Sequence, residues 1–313
     1  MKIISGNANI DLAEKICKHL NIPLTRVLVS RFSEGEIRVK IEENIRGKDL
    51  FIIQPTCPPT NENIMELLIL MDAARRASAK RITAVVPYYG YARQDRKDQP
   101  RVPITAKLVA NLMVAAGAER VLTMDLHANQ IQGFFDIPVD HLYCINALCD
   151  YFQEKNLKNM VVVSPDVGGT KMARAYAKRL NAGLAIVDKR RESPEKTEVM
   201  HILGRVKGKS AVIVDDIVAT AGSLVEAAEA LEKKGVKEVY AAMSHGILSG
   251  KAIERIRDCS VIKEVLITDT IPLDQSKRIN KIKVVSVGSI LADAIQRIHD
   301  EESISCLFDG TTR

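Results

Sequence analysis

Apolar and polar positions along this chain alternate between two periods, two residues and about 3.6 residues, which mark strands and helices in turn. Residues 2–5 form a short apolar run, and Leu12, Ile16 and Leu20 form a helical stripe that ends before Pro23. Residues 24–29 read as a strand. In residues 36–41, Ile37, Val39 and Ile41 fall on one side of another. A strand at 49–54 is followed by a loop at 55–60 and a helix at 61–76 that carries Ile64, Leu67, Leu68 and Met71. A strand at 81–86 opens into a long polar loop, 87–103. A helix at 104–116, stopped by Gly117, leads to a strand at 119–124 that ends in Asp125-Leu126-His127. The pattern restarts near residue 145, with strands at 159–163, 184–187, 238–243 and 283–287 and helices at 171–180 and 290–298. Between them, Val212-Ile213-Val214 opens a further strand. Behind it Leu224, Ala228 and Leu231 share a helix face that Gly235 terminates. This alternation predicts an α/β protein with parallel sheets covered by helices on both faces. The restart predicts two similar doubly wound lobes, 1–146 and 147–313, with the last residues candidates to pack back on the first.

Composition narrows the picture. The 313 residues are 46% hydrophobic, enough for two substantial cores. The net charge of +6 suits anionic small molecules and suits equally a basic surface with no task. No basic run with interleaved aromatics marks a nucleic-acid groove. Cysteines 17, 57, 144, 149, 259 and 306 form no C-x-x-C and stand at no zinc-finger spacing to histidine, so they read as reduced, mostly buried thiols of a cytoplasmic protein. The opening apolar run is too short for a signal peptide, and no stretch approaches the ~20 apolar residues of a membrane span.

Ligands of open α/β sheets lie beyond the carboxyl ends of the strands. The polar stretches at 87–103, 125–129, 165–169, 189–196 and 215–223 all follow strands. In the last of these, Asp215 and Asp216 precede a run of small residues, Ala219-Thr220-Ala221-Gly222-Ser223, at a helix N-terminus. Unpaired backbone N–H groups and the helix dipole favour an anion there, and small side chains let a phosphate approach. The two carboxylates would repel that phosphate, so they suit sugar hydroxyls or a metal. Together these features point to a phosphorylated sugar; the bland alternative is ordinary turn and cap chemistry. Arg93, Arg96, Lys97 and Arg101 crowd the loop at 87–103, where guanidinium groups suit phosphate oxygens or simply face solvent. Phe32-Ser33-Glu34-Gly35-Glu36 offers an aromatic and spaced carboxylates for a purine, or an ordinary charged hairpin turn. His127 and Asp166 would suffice for a magnesium ion carried by a nucleotide, which takes one or two protein ligands, although a histidine at a strand end is more often structural. The charged segment from Lys189 reads as a mobile cationic element beside a phosphate site, or as an exposed basic turn.

The stretch at 212–223 resembles the phosphoribosyl pyrophosphate-binding loop shared by phosphoribosyltransferases and ribose-phosphate pyrophosphokinases. That pattern has an apolar strand, two acids, two variable residues, a usually polar residue, Thr, a small residue, Gly, and Thr or Ser. The resemblance to ribose-phosphate pyrophosphokinases, of the magnesium-dependent, phosphate-activated class, extends over essentially the whole chain. It is carried by residues 32–36, Gly90-Tyr91-Ala92-Arg93-Gln94-Asp95-Arg96, Pro103-Ile104-Thr105-Ala106-Lys107, Asp125-Leu126-His127-Ala128, Gln130-Ile131-Gln132-Gly133-Phe134-Phe135, residues 164–169, Asp188-Lys189-Arg190-Arg191, residues 215–223 and the tail at 298–305. It implies two phosphoribosyltransferase-like lobes, a Mg²⁺ cofactor, and the substrates ATP and ribose 5-phosphate. Phe32, Glu34, Gly35 and Glu36 would hold adenine, reaching a neighbouring subunit's site, and Arg93 and Gln94 would also contact ATP. His127 and Asp166 would ligate magnesium. Lys189 and Arg191 would be catalytic. Arg191, Asp215, Asp216, Ala219, Thr220, Ala221, Gly222 and Ser223 would bind ribose 5-phosphate. The family also implies a homohexamer, phosphate and ADP as effectors, and no nucleic-acid or membrane partner. This chain departs from the pattern at Ala219 (usually polar), at Glu34 (often Asp) and at Pro100 (Ser in some members). The expected reaction transfers the pyrophosphoryl group of Mg-ATP to the anomeric hydroxyl, giving phosphoribosyl pyrophosphate and AMP for nucleotide biosynthesis. Its rivals are a phosphoribosyltransferase and a non-catalytic paralogue.

Overall fold

A computed structural model describes residues 1–190 and 199–308. Packing divides the described residues into two units: Met1–Tyr143 with Thr270–Pro272 and residues 286–308, and Cys144–Asp269 with Leu273–Val285.

The first unit is built on five parallel strands. β1 (Lys2–Ser5) leads into α1 (Ile10–His19). β2 (Val27–Arg31) and β3 (Ile37–Ile41) pair antiparallel as a separate two-stranded hairpin. The main sheet continues with β4 (Asp49–Ile53), β5 (Arg81–Val86), β6 (Arg120–Met124) and β7 (Val139–Leu142), joined through α2 (Thr60–Arg76) and α3 (Thr105–Ala116). The strand order is β1-β4-β5-β6-β7 and never reverses. Unbroken apolar runs such as Leu50-Phe51-Ile52-Ile53 form these strands because both sheet faces are covered. Ile4, Leu50 and Ile52 pack with Ile64, Leu67, Met71, Val109 and Met113 of α2 and α3. Their alternates Ile3, Phe51 and Ile53 are equally buried on the opposite face. The last long helix of the chain, at Gly288–His299, packs on α1 in this unit. There Arg81 donates to both oxygens of Asp49 (2.8 and 2.5 Å) and to the carbonyl of Ile298 (2.9 Å). Nδ1 of His299 meets Asp49 at 2.8 Å.

The second unit begins with α4 (Ile145–Glu154), which leads into a seven-stranded sheet. Its strands are β8 (Met160–Ser164), β9 (Gly183–Arg190), β10 (Val199–Leu203), β11 (Ser210–Val218), β12 (Glu238–Gly246), β13 (Ile262–Thr268) and β14 (Ile282–Val285). α5 (Thr170–Arg179), α6 (Gly222–Lys233) and α7 (Ala252–Asp258) connect them. The order is β10-β9-β8-β11-β12-β13-β14, all parallel except the edge strand β10, which runs antiparallel to β9. From β8 the chain first builds outward to β9 and β10, then returns to the other side of β8 with β11. The boundary between β8 and β11 is therefore a topological switch point, where two connecting loops diverge and leave a crevice.

The expected α/β architecture with two parallel-sheet lobes is present. Three strands are absent from the sequence pattern: β7, β10 and β13. The charged stretch from residue 189 begins inside β9, because Asp188, Lys189 and Arg190 pair with β10 at the sheet edge. The acids Asp215 and Asp216 also lie within a strand and not after it: β11 stays paired with β12 through Val218 opposite Gly246.

Candidate active site

The second unit brings several of its candidate residues to the switch point. β8 and β11 are neighbours, with Val163 opposite Ile213. Asp166 follows β8, and Asp215 and Asp216 lie near the end of β11. Asp166 is exposed and built into a tight turn: Gly169 donates its N–H to Oδ1 at 2.8 Å, and the Ser164 hydroxyl donates to the Asp166 carbonyl at 2.7 Å. Asp215 is half-buried and Asp216 buried. Burial, then the Asp216 carboxylate and more weakly that of Asp166, raise the Asp215 carboxyl well above the ordinary range. An acid pair that resists double ionisation places less negative charge beside an anion than two free carboxylates would. It also offers both a donor and acceptors to sugar hydroxyls.

Ala219, Thr220, Ala221, Gly222 and Ser223 form one short turn from β11 into α6. Ala221 sits at φ +59, a left-handed conformation unusual for alanine, and is the cap of α6. An alanine has no side chain to accept from the first N–H groups of the helix, and no side chain caps α6. Those donors remain for a ligand, at the positive end of the helix dipole. The turn is tied from behind. Leu248 and Ser249 donate their N–H groups to the carbonyls of Val218 (3.1 Å) and Ala219 (2.9 Å), and Arg255 Nη1 donates to the carbonyl of Thr220 (2.9 Å). Lys189 lies on β9, the neighbour of β8 on its other side, one residue from the strand's end and opposite Met200. Arg191 lies outside the described residues.

In the first unit the candidates lie in two places. The turn joining β2 to β3 holds Phe32, Glu34, Gly35 and Glu36. The N–H of Phe32 bonds the carbonyl of Glu36 (2.9 Å), and Gly35 takes φ +96. Phe32 is 47% exposed with the Arg38 guanidinium 5.7 Å from its ring centre. Backbone hydrogen bonding and the Ser33 hydroxyl hold the exposed Glu34 carboxyl below its usual range. Arg93 and Gln94 belong to the main sheet, in the loop after β5. That loop is pinned at its base, where buried Gly90 donates to Thr56 Oγ1 at 2.6 Å. The Thr105 hydroxyl donates to Gln94 Oε1 (2.5 Å), and Gln130 joins the loop to the turn after β6 through Asp95 (2.6 Å). That turn carries exposed His127. Its backbone is held by buried His141, whose Nε2 accepts from Leu126 N–H at 2.8 Å.

Neither His141 nor Arg255 emerges from the sequence. His141 lies on β7 and Arg255 on the short α7, two elements that the periodicity does not mark. Each acts on backbone, which leaves no spacing signal. Among the described residues no three His, Cys, Asp or Glu side chains converge as a metal cage, and no helix is long and apolar enough to cross a membrane.

Residues 1–117 match the family model of the N-terminal domain of ribose phosphate pyrophosphokinase, and residues 189–309 match that of the phosphoribosyl synthetase-associated domain. The chain is 58% identical over 309 residues to a ribose-phosphate pyrophosphokinase of Caldanaerobacter subterraneus, covering 98% of each chain. It is 56% identical over 307 residues to one of Campylobacter jejuni, again covering 98% of each. Among solved structures it is similar to the phosphoribosylpyrophosphate synthetase from Mycobacterium smegmatis, with a TM-score of 0.90 and 40% identity over 96% of this chain and 99% of that one.

Proposed function

Because the chain belongs to the ribose-phosphate pyrophosphokinase family, we propose that it joins Mg-ATP and ribose 5-phosphate to give phosphoribosyl pyrophosphate and AMP. The anomeric oxygen of the sugar attacks the β-phosphorus of ATP. The bond from that phosphorus to the α–β bridging oxygen breaks, AMP leaves with that oxygen, and the hydroxyl proton is lost. No covalent enzyme intermediate is required, so the protein's work is positioning and charge neutralisation. The observation that carries the reading is the turn at 219–223. It is an uncapped helix N-terminus with left-handed Ala221, beside an acid pair at the one strand-order reversal among the described sheets. The helix donors of Ala221, Gly222 and Ser223, with the hydroxyls of Thr220 and Ser223, would hold the 5-phosphate. Asp215 and Asp216 would accept from the ribose hydroxyls.

Phe32, with Glu34, Gly35 and Glu36, would take adenine, and its exposed ring suits stacking. Arg93 and Gln94 would contact the nucleotide, and Lys189 and Arg191 would neutralise charge on the transferring group. His127 and Asp166 would be the protein ligands of Mg²⁺. The donor set fits that ion: Asp166 is an exposed oxygen donor whose charge already disfavours ionised Asp215, and a magnesium held largely by phosphates needs no cage of three side chains. Bound there, magnesium would neutralise phosphate charge. Phosphate activation, ADP inhibition, a homohexamer and a cytoplasmic location complete the reading and rest on the family resemblance. Incubation with Mg²⁺, ATP, ribose 5-phosphate and inorganic phosphate, followed by phosphorus NMR, tests it. AMP and a new pyrophosphate ester in equal amounts are expected, and ADP in place of AMP refutes it.

A further inference from the structure

We propose that Arg255 is a positioning residue of the ribose 5-phosphate loop, acting through the carbonyl of Thr220. The inference rests on the reading of residues 219–223 as the 5-phosphate site. Arg255 stands on α7, far along the chain, and its Nη1 donates to the Thr220 carbonyl at 2.9 Å. The same nitrogen lies 3.5 Å from where a β-carbon of Gly222 would be, so the guanidinium lies along both sides of the left-handed Ala221. The segment leading to α7 is itself tied to the loop by Leu248 and Ser249, which fixes where Arg255 starts from.

A trans peptide is planar, with its C=O and N–H pointing in opposite directions. Holding the Thr220 carbonyl toward Arg255 therefore aims the Ala221 N–H the other way, to the side where an anion is to be gathered. It also keeps a carbonyl oxygen from facing the phosphate. Without that bond the peptide between Thr220 and Ala221 is free to turn over, and left-handed Ala221 has a reason to relax, since this conformation is unfavourable for residues with a β-carbon. The loop supplies no cation of its own: its five residues are Ala, Thr, Ala, Gly and Ser. Among the described residues no carboxylate is paired with Arg255, so the hydrogen bond to the loop is the contact that accounts for its position.

The test uses the full-length protein, with ribose 5-phosphate as the calorimetric probe and with steady-state kinetics. Arg255→Met keeps most of the side-chain bulk and removes the donor. Its Kd and KM for ribose 5-phosphate are expected to rise about tenfold or more, as for a lost hydrogen bond to a charged group. KM for ATP and the melting temperature should stay near the parent values, because Arg255 is exposed. Arg255→Lys, which can still donate to the carbonyl, should recover most of the affinity. A purely structural role predicts that both KM values and the melting temperature move together, and that result overturns the proposal. So does an Arg255→Met protein that binds ribose 5-phosphate like the parent, or an Arg255→Lys protein no better than Arg255→Met. If the parent itself fails to bind ribose 5-phosphate, the site reading falls and the inference falls with it.

Discussion

Gly90 and Gly133 stand in two of the stretches that mark this chain's family resemblance, and nothing in the sequence ranks one above the other. The structure separates them. A β-carbon at Gly90 would lie 2.4 Å from the carbonyl oxygen of Thr56 and 2.7 Å from the Thr60 methyl. A β-carbon at Gly133 meets nothing within 4 Å. Restoring ordinary contact at about 3.5 Å requires a backbone shift of roughly 1 Å at position 90, since the obstacle is main chain and cannot rotate away. Overpacking of this kind costs about 1–3 kcal/mol. The shift also strains the buried 2.6 Å bond from Gly90 N–H to Thr56 Oγ1, worth about 1 kcal/mol. Gly90→Ala should therefore lower stability by about 2–4 kcal/mol, while Gly133→Ala stays within about 0.5 kcal/mol of the parent. Arg93 and Gln94 stand three and four residues after Gly90 in the same loop, so kcat/KM for ATP should fall by up to about 100-fold, as a misplacement near 1 Å can cause. Urea midpoints and steady-state kinetics on both variants measure this. A Gly90→Ala protein with the parent's midpoint and ATP kinetics refutes the reasoning, because it would mean the loop base can shift at no cost.

Lys189→Ala should lose about 10²–10³ in kcat, as for one preorganised charge-stabilising group, while calorimetry still detects ribose 5-phosphate binding; an unchanged kcat removes Lys189 from the chemistry. Phe32→Ala should raise KM for ATP and leave both KM for ribose 5-phosphate and stability nearly unchanged, because the ring is 47% exposed; equal rises in both KM values would deny it a role specific to adenine. Asp49→Asn tests the anchor of the last helix. Burial disfavours the Asp49 charge, but Arg81 and then His299 outweigh it, so the carboxyl titrates below its usual range. A depressed folded value contributes stability above the unfolded pKa of about 3.9 and loses it as pH falls through the folded value. The substitution should cost about 1.5–3 kcal/mol at pH 7, with the gap to the parent narrowing below about pH 4; a gap that is constant down to pH 3 contradicts the ion-pair account.

What the sequence reveals depends on where backbone and side chains find their partners. β4, β5 and α2 are legible because their partners are apolar and generic: Leu50, Ile52, Leu67 and Met71 leave a periodic trace whatever they touch. β7 and β13 are not, because each spends buried or half-buried positions on specific polar pairs. Asp140 meets Arg120 at 2.7 Å, His141 accepts from Leu126, and Glu264 takes Lys155 and Tyr151. Such pairs look like loop residues until the partner is seen. The charged residues at 188–190 mislead in the same way: they read as loop but end β9, where they pair with the edge strand β10. Asp215 and Asp216 are legible as chemistry but not as strand, because carboxylates inside a parallel sheet run against strand propensity. Asp215 feels Asp216 and, more weakly, Asp166 beyond the end of β8, a neighbour set by strand order and not by spacing.

The hardest question left by the sequence is whether a small-residue turn at a helix N-terminus binds anything, and the two units answer it differently. In the first, the turn from β1 into α1, Ser5-Gly6-Asn7-Ala8-Asn9, has the same ingredients as residues 219–223. Its donors are already taken. Asn7 N–H goes to Glu66 Oε1 at 2.6 Å, Ala8 N–H to Gln54 Oε1 at 3.1 Å, and Leu12 N–H to the Asn9 cap at 3.2 Å. Glu66 is buried and also accepts from Gln54 at 2.8 Å and from the Asn7 side chain at 3.1 Å. The protein has supplied its own anion, and a β-carbon at Gly6 would strike Gln54 and Glu66 at 2.4 and 2.6 Å. This is turn and cap chemistry with nothing left over for a ligand. At α6 the cap is an alanine, no side chain closes the helix end, and Asp215 and Asp216 stand on the preceding strand. A helix start that is internally satisfied in one unit and has no side-chain cap in the other, at the end where the strand order reverses, is the contrast that supports the proposal of a phosphate at residues 219–223.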